Sequence, residues 1–264
     1  MADIRFSTMS TRLRRSEIRE LLKLTRLPGA ISFAGGLPDP SIFPLAAVED
    51  AASRVLRERG NLALQYSPTE GEPFLKKQLA AFMARQGDPA APQDMLVVAS
   101  SQQGLDLLAK VFIDQGDPII IERPSYVGTI QAFRAFGAEF HGVEMDDEGV
   151  IPEELESTVE RLIAQGRRPK FIYLIPDFQN PSGRNLSLER RHRVLQIAAK
   201  YDLPLIEDSP YRELRYRGEL LPSVDCCRER MVPPALRSIE SGTASAPVMF
   251  TKNNLTKLIV LVHY

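Results

Sequence analysis

Three polar side chains stand where a short apolar run stops: Asn180 after FIYLIPDFQ, and Asp208 and Tyr211 after LPLIE. Asn180 offers a donor and an acceptor, so it could bond a phenolate oxygen on a ligand. Asp208 is a carboxylate that could pair with a protonated ring nitrogen. At roughly 4 Å and an effective dielectric near 20, that pairing is on the order of 4 kcal/mol before desolvation. Tyr211, three residues on, could reach the same ring. Each also has a plainer reading: Asn180-Pro181-Ser182-Gly183 is a strong turn signature, and Asp208 before Pro210 suits an Asx turn. Two further groups join them. Ser101 and Gln102 open a helix after MLVVAS, where free N–H groups and the positive dipole end favour phosphate, or where Ser101 simply caps the helix. Tyr126 in PSY follows the next apolar run and could stack on a flat heterocycle or serve as a core tyrosine.

Elements that would position these groups follow from periodicity. MLVVAS from Met95, PIIIE from Pro118, Ala138 to Val143, Phe171 to Ile175 and Leu203 to Ile206 read as short buried strands. Helices are expected between them: Ser101 to about Ile113, Val127 to Phe136, Pro152 to Gln165 and Leu188 to Tyr201, the last strongly polar. Strand and helix in alternation predict an α/β fold with a mostly parallel sheet, so each polar cluster falls at the carboxyl edge, where ligands bind. Upstream, Ser16 to Leu27 reads as a capped helix and Leu45 to Arg59 and Glu72 to Gln86 as two more. ISFAGGLPDPSIFP reads as an ordered loop packed through Phe33, Leu37, Ile42 and Phe43. From Val224 to Pro247 no helical or strand period is sustained, and Lys257 to Tyr264 would make a strand.

Composition narrows the function classes. Lys plus Arg number 33 against 34 Asp plus Glu, so nothing calls for nucleic acid or an anionic membrane as partner. No apolar run approaches the ~18 residues of a membrane span. The only cysteines, Cys226 and Cys227, are adjacent and give neither a disulfide framework nor metal-ligand spacing. The N-terminus has no secretory h-region. Its Arg, Ser and Thr content is offset as a transit signal by Asp3, Glu17 and Glu20, so the cytoplasm is the expected location.

Taken in order, GGLPDPSIFP, YSPTEG, SSQQGLDLL, PSY, IPDFQNPSG and EDSPYREL resemble the pattern of the fold-type I, class I/II aminotransferases that use pyridoxal phosphate. The branch they look closest to is that of the 2-aminoadipate and kynurenine aminotransferases. The resemblance runs from about Ser16 to Ser223. It implies a three-layer α/β/α large domain, incomplete at the C-terminus: an N-terminal arm and gate helix over 1–44, the cofactor-binding domain over 45–223 and a divergent tail over 224–264. It implies amino acid and 2-oxo acid substrates and a homodimer. Ser101 and Gln102 would bind the cofactor phosphate, Tyr126 would stack on its ring, Asn180 and Tyr211 would bond the ring oxygen and Asp208 the ring nitrogen. Tyr66 would reach the phosphate of the neighbouring subunit. Gly36 would lie near the substrate carboxylate, and Arg19 would meet a distal carboxylate or stand as a solvated helix charge. The family's Schiff-base lysine lies in Ser-x-Ser-Lys; Lys252 in Met249-Phe250-Thr251-Lys252 is a faint echo of it, or a surface lysine. Two expectations follow: an aminotransferase of 2-aminoadipate-like or broad specificity, or a fragment without the lysine that retains weak cofactor binding or dimerisation.

Overall fold

A computed structural model describes residues 5–13 and 38–231. It divides into two compact units, residues 13–68 and the remainder. In the smaller unit a single turn of 3-10 helix at Pro40–Ile42 is capped by Asp39, whose carboxylate accepts from Ser41 N at 2.9 Å. Ile42 and Phe43 are exposed, contrary to the packed loop expected there. The turn is held by its own backbone, Ile42 N to Asp39 O at 3.2 Å, and not by burial. Phe33 and Leu37 lie outside the described residues, as does the Ser16–Leu27 helix. Helix α2 runs Leu45–Ala63, past the expected stop at Gly60, by bending at Arg59 (φ −138°, ψ 21°).

In the larger unit the elements follow the expected alternation after α1 (Thr8–Arg12) and α3 (Pro73–Arg85). Glu72 caps α3 by accepting from Leu75 N at 2.9 Å, and Pro73 suits the first turn, where its missing N–H costs nothing. Then come α4 (Ser101–Phe112), β1 (Pro118–Arg123), α5 (Val127–Phe136), β2 (Glu139–Asp146), β3 (Gly149–Val150), α6 (Pro152–Ala164), β4 (Ile172–Leu174), α7 (Leu188–Lys200), β5 (Leu205–Glu207) and α8 (Val224–Met231). One sheet forms in the order β3-β2-β1-β4-β5, parallel except where β3 turns back on β2.

Alternation along the strands builds the three layers. Ile119, Ile121, Phe171, Tyr173, Ile175 and Ile206 face α4 and α5 through Leu105, Leu108 and Phe133. Ile120, Ile172, Leu174 and Leu205 face α6 and α7 through Leu155, Val159, Leu162 and Val194. Each such side chain, once buried, contributes about 1.5–3 kcal/mol. No helix among the described residues is long and apolar enough to cross a membrane.

Two further sequence expectations need correction. Met95 to Ala99 is not a strand. A strand exists only by its ladder, and the bond Val97 makes runs from its N–H to Glu70 O at 3.1 Å, with no strand alongside. Conversely, residues 224–231 form a helix where no period was read. Glu207 Oε2 accepts its first N–H, from Val224 at 2.9 Å, and Val224 and Cys227 enter the core beside α7.

Candidate functional site

Parallel strands β1, β4 and β5 all end on one edge of the sheet, so the segments after them, Pro124–Tyr126, Pro176–Gly183 and Asp208–Tyr211, share that edge. Asp208 is anchored through its own N–H, which donates to Leu174 O at 2.9 Å. Its Oδ2 accepts from the Tyr173 hydroxyl at 2.6 Å, and that hydroxyl accepts from Thr129 Oγ1 at 2.8 Å. Asp208 Oδ1 has no hydrogen-bond partner among the described residues. Asn180 and Tyr211, predicted to serve one ligand oxygen, meet directly: Asn180 Nδ2 donates to Tyr211 OH at 3.0 Å.

Ser101 is not the cap of α4. Ser100 holds the cap position without a side-chain bond, and Gln103 Oε1 reaches back to Ala99 N–H at 2.6 Å. The N–H groups of Ser101 and Gln102 therefore stay at the free first turn. Gln102 Nε2 donates to Gly128 O at 3.3 Å, which ties this turn to the start of α5. Tyr126 lies over the same place. A Cβ at Gly128 would sit 2.4 Å from the Tyr126 ring, so only glycine lets the ring close down there.

Beneath these groups sits a carboxyl that the sequence reading passed over. Glu122 ends the apolar run PIIIE and is 2% exposed. Its Oε2 accepts from Ile175 N at 3.0 Å and from Gln179 Nε2 at 3.4 Å. Burial pushes its pKa up to about 8; the two donors act against this and the Asp208 charge adds to it. Burial also raises Asp208, with the Tyr173 bond acting the other way, and it raises Tyr173 well above the usual phenol range.

The loop that carries Asn180 is clamped from below. Arg191, wholly buried on α7, donates to Asp177 Oδ1 at 2.9 Å, Pro176 O at 3.1 Å, Leu186 O at 3.0 Å and Pro222 O at 2.8 Å. Arg215 donates to the same Asp177 oxygen at 3.1 Å and to Asn185 Oδ1 at 3.2 Å, and stacks over Phe178 at 4.8 Å. Phe178 holds φ 49°, a conformation costly outside glycine, next to Gln179, whose side chain grips Pro124 O and Ser182.

Six of the predicted residues thus fall at one edge: Asn180 bonded to Tyr211, Asp208 at the end of β5 before them, and Ser101, Gln102 and Tyr126 around the start of α5. Tyr66 belongs to the smaller unit and is 98% exposed. Arg19, Gly36 and Lys252 lie outside the described residues. Sequence reading missed Glu122, Thr129, Tyr173, Gln179 and Arg191. No group of three or more His, Cys, Asp or Glu side chains arranged to hold a metal ion occurs among the described residues.

Comparison with known proteins places this edge in context. Residues 34–232 match the family model for aminotransferase class I and II. A 2-aminoadipate transaminase from Thermus thermophilus is 45% identical over 229 residues, 86% of this chain and 55% of that protein. The crystal structure of an α-aminoadipate aminotransferase from Thermus thermophilus, complexed with N-(5′-phosphopyridoxyl)-L-leucine, superimposes with a TM-score of 0.75 at 43% identity, covering 86% of this chain and 55% of that one. A Pyrococcus horikoshii kynurenine aminotransferase solved with PMP gives a TM-score of 0.79 at 36% identity, covering 84% and 55%. The chain spans about half the length of the curated relatives it matches.

Proposed function

Because this chain belongs to the class I and II aminotransferases, a family that uses pyridoxal phosphate, we propose that it carries the ring-binding part of such a site. We propose further that it serves the transfer of an amino group from an amino acid of the 2-aminoadipate kind to a 2-oxo acid. One observation carries the reading: at a single sheet edge, Asp208 has a carboxylate oxygen without a partner, beside an Asn180–Tyr211 pair. The donor set suits the cofactor. Asp208 Oδ1 would take the ring nitrogen, and Asn180 and Tyr211 would exchange their mutual bond for one to the ring oxygen. Tyr126 would lie against the ring, and the Ser101 and Gln102 N–H groups would meet the phosphate. Tyr66 of a second copy would add to the phosphate in a homodimer. Arg19 and Gly36 would face the substrate's carboxylates, and Lys252 would be the covalent anchor.

When bound, the cofactor supplies an electron sink for removal of the amino acid's α-proton. Asp208 keeps that sink charged by holding a proton on the ring nitrogen, which only an ionised side chain does well. Asp208→Asn is therefore expected to weaken pyridoxal phosphate binding ten- to hundredfold, the loss of about 1.5–3 kcal/mol for a hydrogen bond to a charged group. An absorbance titration measures it, and equal affinity in the variant counts against this role.

A second reading needs this edge alone: Asp208, Asn180 and Tyr211 hold the cofactor without a covalent bond. Borohydride separates the two. Protein mixed with pyridoxal phosphate, reduced and mapped by mass spectrometry, should carry the adduct on Lys252 and lose it in Lys252→Ala under the first reading. Saturable binding with no reducible adduct favours the second. No binding at all sinks both.

A further inference from the structure

We infer that Tyr173 is a positioning residue for Asp208: its hydroxyl fixes one carboxylate oxygen so that the other is presented, already oriented, at the sheet edge to an N–H-bearing ring. The inference rests on the proposed reading of that edge as a pyridoxal phosphate site. Tyr173 is fully buried in the middle strand β4, its ring edge-on to Phe133 at 5.8 Å. A buried phenol needs partners, and the two it has come from opposite sides. Thr129, buried on α5, donates into the phenol oxygen at 2.8 Å. The phenol's own hydrogen is thereby directed to Asp208 Oδ2, at 2.6 Å, within the range of a bond from a neutral hydroxyl to a charged oxygen.

Asp208 is then held at two points, by its backbone N–H on Leu174 O and by Oδ2 on Tyr173. One carboxylate oxygen is thus engaged, and Oδ1 is the acceptor that remains. A ring nitrogen arriving at the edge meets a group already in place, which is what precise binding of a flat ligand requires.

The charge state follows the same geometry. Burial favours the protonated form of Asp208, and the Tyr173 bond opposes it. The titratable groups facing Asp208 are Tyr173 from β4 and Glu122 from β1. Thr129 from α5 is neutral. On its own strand, Glu207 is engaged elsewhere, with Ser209 and the first N–H of α8. Below about pH 8 Glu122 stays protonated, so it places no second negative charge beside Asp208. Tyr173 is therefore the group that favours the ionised form of Asp208 against its burial.

The test is an NMR titration of the Asp208 carboxyl in ligand-free protein labelled at aspartate. Tyr173→Phe should raise its pKa by about one pH unit, and Thr129→Val should raise it by less. Pyridoxal phosphate affinity, read by absorbance over a pH series, should begin its fall on acidification about one pH unit higher in Tyr173→Phe than in the wild type. An unchanged titration in folded Tyr173→Phe protein overturns the inference, as does a shifted titration with an unmoved pH profile of affinity. Should Tyr173→Phe fail to fold, the shift in Thr129→Val decides the matter. Should the wild type bind no cofactor, the proposed function fails, and the Asp208 titration alone then judges the Tyr173–Asp208 coupling.

Discussion

Arg191→Met is expected to lower the free energy of unfolding by about 3–5 kcal/mol, measured by urea denaturation followed by circular dichroism. Methionine fills most of the arginine volume, so the loss is one of charge and hydrogen bonds. Arg191 and Asp177 are both wholly buried, and removing one partner leaves the other in a medium that cannot solvate it. Arg215 still reaches Asp177, so the cost stays within this range rather than above it. The carbonyls of Pro176, Leu186 and Pro222 lose their donor at the same time. Two of those carbonyls bracket the loop that bears Asn180. Hydrogen exchange should therefore report the damage first at Gln179 and Gly183, whose N–H groups close that loop on Arg184 O and Gln179 O. Arg191→Met with Asp177→Leu should cost less than Arg191→Met alone, since both charges leave together. A single-variant loss under about 1 kcal/mol would show that Arg191 is not the clamp its bonds describe.

Arg191 also shows where sequence reading stops. In ERRHRVLQ it is one of three arginines on a polar helix and reads as a solvated charge. Its burial comes from tertiary contacts with the 176–187 loop and Pro222, which no local pattern encodes. Tyr173 is hidden in the opposite way: inside FIYLI it reads as apolar core, and only the fold brings Thr129 and Asp208 to its hydroxyl. Glu122 reads as the polar end of a strand, yet it turns inward. Asn180, Asp208 and Tyr126, by contrast, could be placed because each follows an apolar run that does pair in the sheet, as β4, β5 and β1. Elements with a full local period were found near their observed bounds, Val127–Phe136 at both ends. Gly149–Val150 is too short to carry a period, and in α8 Val224 and Cys227 enter the main core from a single turn, which leaves no repeat to read. Met95 to Ala99 has the composition of a strand without a neighbour to make it one. A strand is a property of the pair, and composition describes one partner.

Glu122→Gln is expected to stabilise the protein at pH 8 by about 2–5 kcal/mol and to leave it unchanged near pH 4. The sign follows from the two states. In the unfolded chain the carboxyl ionises around its ordinary value of 4.5; in the folded protein it holds its proton to about 8. Below the first value both states are protonated and the group contributes nothing. Between them the unfolded state has released the proton and the folded state has not, so stability falls with each step in pH. Above about 8 the folded carboxyl ionises as well and the loss levels off. Glutamine keeps the acceptor for Ile175 N–H and Gln179 and cannot ionise, so it removes the slope without removing the bonds. Thermal melts of the two proteins from pH 4 to 9 measure this, and parallel curves would contradict a buried protonated Glu122. The same titration reaches the ligand edge. Once Glu122 ionises, a second negative charge stands near Asp208 and opposes its ionised form, while its grip on Ile175 N–H and Gln179 tightens. Cofactor affinity in the wild type should therefore bend near pH 8, and the bend should vanish in Glu122→Gln. A bend that persists in the variant would have to come from another group.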